Sequence, residues 1–394
     1  MASITSLPLH LISYILCMLG NVKHLPAALL SNRIFYTAYL DTPSLAVDIL
    51  RLQLPDDLLT LALAAHASQK SIREKHGVDT TQFLTECYDK PFNALGGQFH
   101  LALDDALRIS RLNDALAQLR GDFCATTLRK LYGLSRDDPM AAALSAGELY
   151  RVSRALYRFQ IYGNLFLARD EACEPSPAQK AQKALFFGRH SPWVNEQLAC
   201  IYDYLETRLT GVMLTILSAT PACREVIVNG FQWGGNLTDW LAERSQLFEE
   251  QRCLSLDLPR LHKILQASTC EEWQAALAEA SNLCRSCLEE DLDAFNHGKK
   301  PDAAHGVWRE EEMDKLARQV DTDDATDDHP RRIWSKVYYD RMHGRFRFGA
   351  HAYSAMRFVY GLRGIGYVMW DGQRMKDEVC ENTVAKAYRG DPIF

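Results

Sequence analysis

Apolar residues return every three or four positions along nearly the whole of this chain, a spacing that suits helices and little else. Leu, Ala, Arg, Glu and Gln, all good helix formers, dominate the composition around them. Runs that alternate polar with apolar residues, as half-buried strands do, are scarce. Val226-Ile-Val228 is the one short β-like piece, and it equally suits a buried helix segment. The expected fold class is therefore all-α, a multi-helix globular fold with little or no β structure. No repeat at the period of a solenoid or propeller is visible.

Size and composition narrow the class further. With 394 residues, 47% hydrophobic and 24% charged, the chain can bury a large core without disulfides or metals, and a largely disordered protein is excluded. The longest apolar stretches, Leu58–Ala65 and Val212–Leu217, fall far short of the roughly 20 residues of a membrane span, so no membrane is expected. The net charge of −6 excludes no class of partner. Eleven cysteines, an odd number scattered from Cys17 to Cys380, read as reduced thiols of an intracellular protein. Met1–Leu19 lacks the charged start and cleavage site of a secretory signal, which points to the cytoplasm or nucleus.

Turn-forming residues divide the chain. Leu40–Ser44 and Leu54–Asp57 read as turns that lead into helix N-caps. The Pro-Ser-Pro of Glu174–Pro177 separates a helical half over 41–173 from another over 178–394, unless the two form one continuous domain. His297–Gly306 reads as a loop, and Asp321–Asp328 as an acidic loop. Charge is segregated near the end. Glu289–Asp328 holds 14 acids against 5 Lys and Arg, whereas Arg331–Arg374 holds 9 Lys and Arg against 2 acids, with ten aromatics from Trp334 to Trp370. Such blocks either pair within the fold or offer a basic face to an anionic partner.

The N-terminus carries the clearest motif. In Ser6-Leu-Pro-Leu-His-Leu-Ile-Ser-Tyr-Ile-Leu-Cys-Met-Leu19, Ser6 is a candidate N-cap and Pro8 fits the first helical turn. Leu11, Ile12, Ile15, Leu16 and Leu19 make one apolar stripe. After Gly20-Asn21, Leu25-Pro-Ala-Ala-Leu-Leu30 and Arg33-Ile-Phe-Tyr36 form a second helical piece. Over residues 1–40 this resembles an F-box, a small helical bundle whose exposed Leu-Pro helix docks onto the Skp-type linker of an SCF ubiquitin ligase. The resemblance implies that Leu7, Pro8, Leu11, Ile12 and Ile15 bind that linker. Asn195-Glu-Gln-Leu-Ala-Cys-Ile-Tyr-Asp-Tyr-Leu205 and Leu362-Arg-Gly-Ile-Gly-Tyr-Val-Met-Trp-Asp371 also resemble segments of fungal F-box-like proteins. In the second of these Gly366 is expected to allow a tight turn, with Tyr367, Val368 and Trp370 in the core. One departure stands out: no linker follows residue 40, and the helical pattern continues through Leu45–His66. That suits a self-contained fold better than an open adaptor with a separate recognition module.

Motifs for chemistry are sparse. No nucleotide loop, dinucleotide fingerprint, zinc helix or nucleophile elbow occurs, so neither cofactor nor metal is expected. Gln232-Trp-Gly-Gly-Asn236 reads as a loop, Cys284-Arg-Ser-Cys287 has no second ligand pair, and Asp321–Asp328 lacks the glycine and distal glutamate of a calcium loop. Tyr202 and Glu206 stand one helical turn apart. The same Tyr-x-x-x-Glu spacing holds the aminoacyl ammonium in tRNA-dependent cyclodipeptide synthases, which makes this pair weak catalytic candidates; ordinary helix roles are the alternative. Arg151, Arg154 and Arg158, with Tyr150 and Tyr157 alongside, form a stripe suited either to tracking phosphates or to a solvated helix face. Arg341, Arg345, Arg347 and Arg357 extend the nucleic-acid-binding option.

Three functions follow as expectations. The first is an F-box-like adaptor that docks a Skp-type linker and presents its helical body to a partner. The second is an enzyme, an aminoacyl-tRNA-dependent synthase of arginine-containing cyclodipeptides. Glu206, or an acid of Glu289–Asp293, would there hold the ammonium or guanidinium, although the Asp-Asp-x-x-Glu motif associated with that group is absent in that form. The third is a helical interaction protein without catalysis.

Overall fold

The computed structural model describes residues 7–91, 101–135, 143–167, 176–219, 253–278, 328–342 and 361–389, together with Leu288, Asp291 and Glu311. Among these residues the regular elements are all helical and none is a strand, so the fold is all-α. Val226–Val228, Gln232–Asn236 and Cys284–Cys287 lie outside the described residues. No helix among the described residues is long and apolar enough to cross a membrane.

The chain forms two compact units, Met1–Ala117 and Gln118–Phe394. The longer helices of the first unit are α1 (Leu9–Cys17), α2 (Leu25–Ser31), α3 (Arg33–Asp41), α4 (Leu45–Gln53), α5 (Asp56–Ala67) and α6 (Lys70–His76), with short helical turns at Val22–His24, Thr80–Gln82 and Phe83–Cys87. The unit boundary falls inside α7 (Leu103–Tyr132). Then follow α8 (Ala146–Tyr162), α9 (Pro177–Gly188), α10 (Pro192–Ala219), α11 (Leu258–Gln266), α12 (Cys270–Ala278), α13 (His329–Met342) and α14 (Glu378–Arg389). Segment 1–40 does not stand apart. α1 packs on both α3 and α4, and α4 buries Leu45, Ala46, Val47, Ile49 and Leu50. The Pro-Ser-Pro break likewise lies within the second unit, because helices on either side of it, α8 and α10, pack together.

Local chemistry accounts for the helix starts. Ser145 caps α8 in a reciprocal box with Glu148, at 3.0 Å in both directions. Ser176 and Gln179 do the same for α9, with Pro177 in its first turn. The breaks expected at Leu40–Ser44 and Leu54–Asp57 are narrower than expected: Thr42–Ser44 and Leu54–Pro55 precede α4 and α5, and neither N-cap residue, Ser44 or Pro55, makes a side-chain cap bond. Gly366 has φ +64°, and a Cβ there would stand 3.2 Å from the Trp370 ring and 3.3 Å from Phe123. The turn it permits seats Tyr367, Val368 and Trp370 in the core of the second unit, all at most 2% exposed.

In the first unit, His66 in the last turn of α5 is buried, with Nε2 3.2 Å from Oδ1 of Asp105 in the first turn of α7. The His66 imidazole at this distance holds the Asp105 carboxyl below its ordinary range, more than burial raises it. A carboxylate depressed by folding adds stability above its unfolded pKa and loses it as pH falls through the folded value. His66→Ala is therefore expected to flatten the decline in stability below about pH 4. Urea titrations at several acid pH values check this, and an unchanged decline would refute it.

Candidate functional site

Two arrangements bear on function, one in each unit. In the first unit, α1 has a buried and an exposed face. Pro8 is its N-cap residue rather than part of the first turn, and its carbonyl accepts from Leu11 N at 3.0 Å. Ser6, the expected cap, lies outside the described residues. Ile12, Ser13 and Leu16 face inward. The Ser13 hydroxyl donates to Ala38 O at 3.1 Å and lies 2.8 Å from Thr42 Oγ1, which pins α1 against α3. The other face shows water Leu11, Tyr14, Ile15 and Met18, at 42%, 66%, 39% and 66% exposure. Their i, i+3, i+4, i+7 spacing makes one continuous apolar stripe.

The single stripe expected from the sequence is thus two faces. Ile12, expected to touch a partner, is fully buried and packs the unit instead. Leu7 is half-buried and Pro8 exposed beside Leu11 and Ile15. Tyr14 and Met18 were missed by the sequence reading. The signal for them was present, since counting by three, four and seven from Leu11 reaches both.

In the second unit the basic stripe is not a surface. Every residue from Arg151 to Tyr162 on α8 is buried, and so is every residue from Pro192 to Leu205 on α10. Helices buried all round meet their polar side chains with one another. Arg151 Nε donates to Met369 O at 2.9 Å, and its other end pairs with Asp371. Arg154 Nη2 donates to Gln197 Oε1 at 2.9 Å, and Gln197 Nε2 to Val368 O at 3.1 Å. Arg158 donates to Val194 O at 2.8 Å and to Asn195 Oδ1 at 2.7 Å. The phosphate-tracking reading is corrected at these three positions: the guanidinium groups bond within the fold, and Arg154 and Arg158 also lie over the Tyr150 and Phe186 rings. Arg341 lies on α13 with its side chain outside the description, and Arg345, Arg347 and Arg357 lie outside the described residues.

The C-terminal segment completes this polar core. Arg363 grips Glu196 through two bonds, Nε at 2.7 Å and Nη2 at 3.1 Å, and stands 3.6 Å from Asp203. Burial alone would lower its pKa, but Glu196 and Asp203 outweigh that and hold it well above the ordinary range. Arg374 donates to both oxygens of Glu148 at 2.7 Å, and the Asp371 amide reaches Glu148 at 3.1 Å. Arg363 and Arg374 of the basic block thus pair with acids of α8 and α10, whereas Arg331 pairs with Asp328 at the edge of the acidic block at 2.6 Å.

The catalytic candidates are placed as follows. Tyr202 is buried at 1% exposure and donates to Glu206 Oε1 at 3.3 Å, so the pair exists as a hydrogen bond within α10. Asp291, from the acidic cluster, holds an amine, the chain's own Lys183 Nζ at 2.6 Å, and accepts from the Tyr162 hydroxyl. Burial pushes the Cys124 thiol up to about 12 and Cys380 to about 11, and raises Cys17, Cys87 and Cys200 as well. These thiols are held away from the nucleophilic thiolate form. Among the described residues no three His, Cys, Asp or Glu side chains converge on a metal position. No family model, no curated protein and no solved structure matches this chain.

Proposed function

We propose that this protein is an F-box-like adaptor that docks the Skp-type linker of an SCF ubiquitin ligase through α1 and presents the helical body of its second unit to a partner. The observation that carries this reading is the outward stripe of Leu11, Tyr14, Ile15 and Met18 behind the exposed Pro8. A folded unit that leaves four large apolar side chains in line on one helix has a surface suited to a partner. The inward face of α1 is held by Ile12, Leu16 and the Ser13 bonds, which leaves Leu11, Tyr14, Ile15 and Met18 as its outward set. Such a partner places the protein in the cytoplasm or nucleus. The aminoacyl-tRNA-dependent synthase draws little support, because Arg151, Arg154 and Arg158 are engaged inside the second unit. Mixing the purified full chain with a purified Skp-type linker tests the adaptor. Co-elution as a stoichiometric complex is expected, and separate elution at micromolar concentrations would sink it.

A further inference from the structure

α3 carries its charges at the ends where its own backbone opposes them. Between Leu7 and Asp41 the fully charged side chains are Lys23, Arg33 and Asp41. Lys23 is engaged with Asp114 inside the first unit. Arg33 is the first residue of α3 and Asp41 the last, and both are exposed. Among the described residues neither side chain forms an ion pair. A helix is partly positive at its N-terminus and partly negative at its C-terminus, which disfavours a cation at Arg33 and an anion at Asp41. Eight residues of helix also set the two about 12 Å apart along the axis, too far to pair with each other. Neither charge stabilises the helix that carries it.

Apolar surface lies between them. Arg33, Tyr36, Thr37, Leu40 and Asp41 follow the i, i+3, i+4, i+7, i+8 spacing of one helical face, and all are exposed, Tyr36 at 50% and Leu40 at 60%. α3 turns Ala38 inward instead, and α1 and α2 pack on it. Thr37 stands midway between the two charges. Its hydroxyl donates to Arg33 O at 3.0 Å, so the centre of the face needs no bond from outside. Leu30, three residues before Arg33 at the end of α2, is 88% exposed. Tyrosine and arginine amid aliphatic residues are groups that often dominate binding energy at protein interfaces.

We infer that two copies of this protein associate through α3, the helices packed antiparallel about a two-fold axis at Thr37. Such a pair is self-complementary: Arg33 of each copy meets Asp41 of the other, on both sides of the axis. The same arrangement sets Arg33 beside the C-terminus of the neighbouring α3 and Asp41 beside its N-terminus, where each dipole favours the incoming charge. Two groups misplaced on a single helix are thus both well placed in the pair. Tyr36 and Leu40 of each copy cover the space between the charges. Charge complementarity selects this occupant over an anionic bilayer, which clusters of several basic residues hold and which would repel Asp41. One short helix from each copy makes a small interface, so the dimer is weak and depends on concentration. The inference stands apart from the adaptor reading, since it needs only a second copy of the chain.

Sedimentation velocity of the purified full chain tests this. At about 50 mM salt a reversible monomer–dimer equilibrium with a Kd of about 10–100 µM is expected, weakened several-fold at about 500 mM salt. Arg33→Glu alone and Asp41→Arg alone should each weaken it about tenfold or more, because like charges then meet on both sides of the axis. Mixing the two single variants should restore a dimer of parental strength, since every acid of one chain then faces a base of the other. The double variant Arg33→Glu/Asp41→Arg should self-associate as the parent does. Recovery on mixing also shows that the single variants remain folded. A parent chain that stays monomeric up to about 500 µM, well above the expected Kd, would overturn the inference. So would single variants that dimerise as tightly as the parent, because association would then use another surface. A monomeric chain whose binding to a purified Skp-type linker, or to phosphatidylcholine–phosphatidylserine vesicles, is lost with Arg33→Glu would assign the face to that partner and equally overturn the inference.

Discussion

Arg363→Met is expected to lower the unfolding free energy of the second unit by about 3–5 kcal/mol. Arg363 and Glu196 are each about 4% exposed and are joined by two hydrogen bonds, with Asp203 3.6 Å away. Two charges taken out of water repay that cost only while they face each other. Removing the guanidinium leaves carboxylates in an apolar interior that cannot hydrate them, and methionine fills the volume without answering the charge. The destabilisation thus measures the orphaned acids more than the worth of the pair. A second variant separates the two. Glu196→Met added to Arg363→Met should recover part of the loss, because the double variant no longer buries the orphaned Glu196 charge. Denaturant unfolding followed by tryptophan fluorescence reads both, since Trp193 and Trp370 lie within this unit. A loss below about 1 kcal/mol for Arg363→Met would show that the network does not depend on this charge.

The same network explains which features could be read from the sequence. Helices were legible because their signals are local: a period near 3.6, turn residues at Leu40–Ser44 and Leu54–Asp57, a glycine at Gly366. The fate of the α8 arginines was not. A spacing of three and four residues looks alike on a solvated helix face and on a buried one. What separates the cases is partners far along the chain, Glu148 with Arg374 across 226 residues and Arg363 with Glu196 across 167. No local pattern carries that information. α1 failed in a smaller way. Its inward face uses a serine, whose hydroxyl is satisfied only once α3 brings Ala38 O and Thr42 into reach. Counting apolar residues alone therefore rotated the helix by about one position, to place Ile12 outward and omit Tyr14 and Met18.

That rotation sets up the sharpest test of the docking face. Leu11→Asp combined with Ile15→Asp is expected to weaken linker binding by more than about 100-fold, since burying each side chain against a partner contributes about 1.5–3 kcal/mol and a carboxylate must be desolvated in its place. Both side chains already face water, so the thermal midpoint of the free chain should stay within a few degrees of the parent. Ile12→Asp should do the opposite. It places a charge at a position with no exposure and disrupts the first unit, and any loss of binding follows from loss of fold. Leu185→Asp is a control for nonspecific effects of charge, because that leucine is 39% exposed on α9 of the second unit and should leave linker binding unchanged. Binding retained by the Leu11 and Ile15 pair would exclude α1 as the docking helix. Binding lost equally with Leu185→Asp would mean that the linker responds to charge anywhere on the chain. Only loss confined to the stripe, in a chain that remains folded, assigns the contact to the face that Ser13 turns outward.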